Sequence, residues 1–150
     1  MRFVFLLISF LTLSVSAKDL PSTDKIKNFL SEEKIVKLTD WEIKKDYQSA
    51  NVDDSVFVIN KKSVSVMKGI KDENDNIVGM LLVLNACMKV SESVLGTLSE
   101  KQKEDLISTI LSTAKVPGKK ISSLIGGYQF EASATSLGKI VMFDCSINAS

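Results

Sequence analysis

The acidic stretch Asp72-Glu73-Asn74-Asp75-Asn76 is the segment most suggestive of chemistry. Asp72, Asn74 and Asn76 reproduce the first three ligand positions of an EF-hand calcium loop. The pattern then fails: Ile77 stands where the turn needs glycine, and Val83 where a bidentate Glu would close the site. A solvated loop between two strands explains the stretch better, and no metal or other cofactor is expected.

Nucleophilic catalysis fares no better. The chain has no histidine, which removes Ser–His–Asp and Cys–His sites, histidine metal clusters and an imidazole switch. Ser-x-x-Lys spacing occurs at Ser22/Lys25, Ser31/Lys34, Ser65/Lys68, Ser112/Lys115 and Ser136/Lys139. No Gly-rich oxyanion turn accompanies any of them, and on a strand Ser65 and Lys68 face opposite ways. Acid pairs that could support glycoside hydrolysis sit mainly in polar helix faces and loops. Glu131 and Asp144 are the exceptions, and strand alternation turns both outward. Val116-Pro117-Gly118-Lys119-Lys120 has a Gly-Lys pair but lacks the rest of a phosphate loop. It reads as a helix stop with a basic tip suited to meeting acidic groups on a protein. The expectation is that the chain is not an enzyme.

Cys87 and Cys145 are the only cysteines, with no Cys-x-x-Cys spacing. On an exported chain two such thiols are expected to pair. Export is expected from residues 1–17. Arg2 precedes the apolar run Phe3–Leu13, and Ser14-Val15-Ser16-Ala17 offers a small-residue cleavage site. The run is shorter than the roughly 20 residues of a spanning helix, so no stable membrane anchor is expected. Removing Arg2 from the 19 basic residues leaves 18 against 18 acidic ones, a formally neutral body. Neutrality argues against nucleic acid as a partner.

The elements that must position these residues follow from periodicity. Ser22 or Thr23 caps a helix carrying Ile26, Phe29 and Leu30, expected to reach about Leu38. Trp41, Ile43 and Tyr47 alternate as one strand. Val56–Ile59 and Val64–Ile70 give two more, joined by a turn at Asn60–Lys62. Ile77–Val90, the most apolar segment after the leader, is expected to be a central strand carrying Cys87. Thr97-x-x-Glu100 and Ser99-x-x-Gln102 each match a capping box before a helix with Leu106, Ile107, Ile110, Leu111 and Ala114 on one face, stopped by Val116-Pro117-Gly118. Lys119–Ile125 is a short helical turn or a loop. Tyr128–Ala134 and Ile140–Ile147 close the chain as a hairpin.

Residues 18–150 thus read as one α+β domain after a cleaved signal peptide. Its mostly antiparallel sheet has about five to six strands, with two main helices packed on one face. By subtraction, the expected role is that of a non-enzymatic protein-binding module. It is secreted, with the periplasm favoured over the extracellular space, and an inhibitor or immunity-type protein against an enzyme or toxin of the cell envelope is favoured. Contact residues are expected among Asp72, Asp75, Lys119, Lys120, Trp41 and Tyr47, and a homodimer is compatible with the sequence. The alternative is a carrier of a small apolar ligand, with Met67, Met80, Met88 and Met142 around its pocket.

Overall fold

The computed structural model describes residues 18–71 and 76–149. The leader expected at 1–17 lies outside them, as do Asp72 and Asp75. Seven strands form one fully antiparallel sheet: β1 (Trp41–Ile43), β2 (Tyr47–Val52), β3 (Ser55–Asn60), β4 (Ser63–Lys71), β5 (Lys120–Ile125), β6 (Tyr128–Leu137) and β7 (Ile140–Asn148). Their order is β1-β2-β3-β4-β7-β6-β5, so the chain's last strand lies in the middle, beside β4. Among the described residues three α-helices, not two, accompany the sheet: α1 (Thr23–Glu32), α2 (Asn76–Leu95) and α3 (Glu100–Thr113).

The extra helix corrects the largest sequence-based expectation. Ile77–Val90 is not a strand but most of α2. Val83, Ala86, Cys87, Val90 and Val94 are all buried. Their spacing of three or four residues is a helical stripe, and it packs on β4 and β7. Gly79 allows the close approach: a Cβ there would lie 2.5 Å from Ile70 Cγ2. The single strand expected over Trp41–Gln48 is instead two. Lys44 N–H donates to the Tyr47 carbonyl at 2.9 Å and turns the chain between β1 and β2.

Capping explains the helix limits. Ser22 Oγ accepts the Lys25 N–H and starts α1. The helix ends at Glu32, short of the expected Leu38, because Lys34 adopts a positive φ of 58°. The Ile35 and Val36 amides then fold back on the Leu30 carbonyl, which lets Val36 enter the core. At α3 the Ser99 box, one of the two the sequence offers, forms in both halves. Ser99 Oγ accepts from Gln102 N–H, and Gln102 Oε1 accepts from Ser99 N–H. Lys119–Ile125, ambiguous in sequence, is largely the edge strand β5.

Inward residues alternate along every long strand, as in Phe57 and Ile59, Val64 and Val66, Phe130 and Ala132, and Phe143, Cys145 and Ile147. With the buried stripes of the helices they form one core. Inside it Cys87 of α2 is bonded to Cys145 of β7, with Cα atoms 5.7 Å apart. The pairing is the one expected, but it ties a helix to a central strand rather than strand to strand. Lys89 Nζ lies 2.8 Å from both Glu33 and Glu92, linking the end of α1 to α2, and these two hydrogen bonds raise its pKa.

Candidate functional site

An apolar groove lies where α2 and α3 leave the sheet uncovered near one end. Met80 of α2 forms one wall; Ala114 and Pro117, at the end of α3, form the other. The floor is Ile70 of β4, Val141 and Phe143 of β7, and Ala134 of β6, with Ser136 as its polar member. The cavity volume is about 280 Å³. Ala114 and Ala134 leave this space because neither reaches across it. The turn that carries Pro117 is pinned, since Gly118 N–H donates to the Ala134 carbonyl at 2.7 Å. Gly118 has φ +76°, a conformation that glycine adopts without Cβ strain.

Beside the groove, the first half of α2 exposes Ile77, Val78, Leu81 and Leu82. These aliphatics escape periodicity analysis because they face away from the core and mask the amphipathic stripe. The signal that could have found both helix and exposed ridge is the Val83–Ala86–Cys87–Val90–Val94 spacing, read separately from the apolar residues before it.

Among the described residues the other face of the sheet carries no helix, and two expected contact residues, Tyr47 and Lys120, fall there. Tyr47 lines a shallow depression with Val56, Val58 and Asn60, beside Lys61 and Lys62. Lys120 lies at the far side of the sheet, on β5, with Nζ 2.9 Å from Glu131 Oε2. Tyr47 and Lys120 therefore share a face without meeting. Lys119 and Lys120 do not form one patch either. Lys119 belongs to the turn beside the groove, whereas Lys120 is held by Glu131. Trp41 is in the core at 9% exposure, and its indole Nε1 is buried without a hydrogen-bond partner among the described residues. The four methionines do not surround one pocket: Met80 lines the groove and Met88 packs against the core. Met67 and Met142 point to the face without helices.

Asp144 stands two strands from Lys120 in the row Lys120–Ser133–Asp144. Burial raises its pKa above the ordinary 3.8. The Lys120 charge acts against that shift and the Glu131 charge adds to it. The folded chain thus disfavours the charged carboxylate. Stability from the neutral form is complete below the unfolded value and is lost as pH rises through the folded one. Asp144→Asn is expected to melt above the wild type at pH 7. The gain should stay under about 1 kcal/mol because water still screens a partly covered carboxylate. It should disappear in melts taken below the ordinary carboxylate value. An equal or lower melting point at pH 7 would contradict the account.

The best Ser–Lys contact is one that sequence spacing does not show. Lys68 Nζ donates to Ser55 Oγ at 3.0 Å across the β3–β4 pair. Ser55 is 6% exposed, so its hydroxyl is poorly placed to meet a substrate. Among the described residues no group of three or more His, Cys, Asp or Glu is gathered in metal-binding geometry. Compared with protein-family models, curated proteins and solved structures, the chain finds no match.

Proposed function

We propose that the protein is an exported, non-enzymatic protein-binding module of the inhibitor or immunity type, acting on an enzyme or toxin of the cell envelope. One observation carries the reading: an open apolar groove of about 280 Å³, with one wall formed by a pinned turn, on a disulfide-held scaffold. Such a groove suits an apolar side chain of a partner, the kind of anchor that dominates binding energy. Lys115 and Lys119, both exposed on either side of Pro117, suit acidic groups around that anchor. Because the turn and floor are fixed before binding, little ordering entropy opposes docking. The disulfide is compatible with an exported protein. Export into the periplasm is favoured on the sequence reading of residues 1–17.

The test is affinity for a partner recovered from envelope extracts and then purified. Ser136 is exposed at the groove, so Ser136→Trp fills it without disturbing the core. The variant is expected to keep the wild-type melting temperature and to weaken binding at least about tenfold, or 1.4 kcal/mol. Unchanged affinity would remove the groove from the interface. A second reading has its own support: the lining is apolar apart from Ser136, and the volume is just below the roughly 300–1,000 Å³ of small-ligand sites. Native mass spectrometry separates the two. A retained small molecule that Ser136→Trp expels favours a carrier.

A further inference from the structure

Lys68 holds a place in the sheet that no other described charged residue shares. Val64 and Val66 of β4 are 1% exposed and turn towards the helices. Alternation points Lys68 the same way, and its side chain is half-buried. Among the described residues it is the one charged side chain at an inward position of a strand. Its ammonium has three N–H donors. One donates to Ser55 Oγ at 3.0 Å, and the other two meet no acceptor among the described residues. The ion pairs among those residues leave Lys68 out. A charge drawn out of water is costly unless it is paired.

Lys68 borders a cavity of about 200 Å³ between the end of α1, the β2–β3 turn and the middle of α2. Lys34 and Asp53 line its exposed side. They are the two described residues other than glycine with positive φ, 58° and 50°. Residues held in such backbones gather at ligand sites. Asn85 adds an amide, and Ile35, Phe57 and Ala86 an apolar wall. Two ammonium groups thus face one carboxylate, that of Asp53. Asp54 and Lys71 border Lys68 in an adjoining hollow and offset each other. Neither aspartate forms an ion pair with Lys34 or Lys68. Glu33, next in the chain to Lys34, is held by Lys89. One negative charge is left to be supplied. We propose that this cavity binds a small aliphatic monocarboxylate. Its carboxylate lies against the Lys68 and Lys34 ammonium groups and the Asn85 amide, and its carbon body against the apolar wall. Asp53 selects against anions of higher charge. The volume, below the roughly 300–1,000 Å³ of larger ligand sites, admits only a short carbon body. The cavity shares no lining residue with the groove, so the inference stands apart from the groove's proposed function.

Titration of sodium butyrate into isotope-labelled protein, followed by NMR at constant ionic strength, tests this. Saturable shifts are expected at Ser55, Lys68 and Asn85, with a Kd of about 1 mM. Lys68→Met keeps the side-chain stem and removes the charge. It should weaken binding at least about tenfold while the melting temperature holds or rises. Lys34→Gly, at an exposed position, should weaken binding about threefold and also raise the melting temperature, because glycine adopts positive φ without strain. Asp53→Asn should tighten binding about threefold, since asparagine tolerates the same backbone. Inorganic phosphate and chloride should bind at least about tenfold more weakly than butyrate. The proposal is overturned by an absence of saturation below about 50 mM, by shifts spread over exposed lysines, or by shifts that survive Lys68→Met. Phosphate or chloride binding as tightly as butyrate overturns it too. None of these substitutions touches a groove-lining residue, so the Ser136→Trp experiment reports on its own question.

Discussion

Replacing Cys87 and Cys145 together by alanine is expected to lower unfolding stability by about 4 kcal/mol in urea denaturation. The bond spans 58 residues of sequence, and its loss releases a long loop in the unfolded chain. Against a typical total of about 5–15 kcal/mol, the loss leaves the fold marginal. The location adds to the effect. Both cysteines are 1% exposed, so shortening them to alanine also leaves space beneath α2. Reduction of the wild-type protein should reproduce most of the loss without that space. A loss under about 1 kcal/mol in both experiments would show that core packing alone orders α2 on the sheet.

Phe130→Ala is expected to cost about 3–5 kcal/mol, the usual range for emptying a fully buried aromatic site. Phe130 is 0% exposed on β6, opposite Ser123 of β5 and Ile147 of β7. The surrounding core cannot readily collapse into the vacancy because ladders hold β6 on both sides. Nearby α3 is itself tied down, as Thr109 Oγ1 and Ser123 Oγ are hydrogen-bonded at 2.9 Å. Equilibrium denaturation with an unchanged slope would confine the effect to native packing. A cost below about 1 kcal/mol would mean that α3 and β5 move to fill the hole.

Much of this architecture is legible from local chemistry. Ser22 and Ser99 mark helix starts that form as expected, and alternation along Tyr128–Ala134 and Ile140–Ile147 gives the closing hairpin. The disulfide follows from cysteine arithmetic. What fails is instructive. The run Ile77–Leu84 looks uniformly apolar because one side of the helix enters the core and another lies exposed, so neither period stands out. Lys34 ends α1 with a left-handed backbone that no glycine announces. The groove is legible in no single segment, since Met80, Pro117, Ala134 and Val141 come from separate elements. Lys119 is singled out by its turn, but its neighbour Lys120 is diverted to Glu131 by strand pairing with β6. Trp41 illustrates the same limit: type alone does not tell an interface anchor from a core residue.

The strand order has a consequence for synthesis. Ribosomes deliver β7 after the other six strands, yet β7 is the neighbour of β4 and holds the sulfur that Cys87 needs. Until β7 emerges, β4 lacks a hydrogen-bonding mate on that side and α2 has an incomplete seat. Folding of the sheet around α2 is therefore postponed until β7 has emerged, a topology that trades speed for long-range closure.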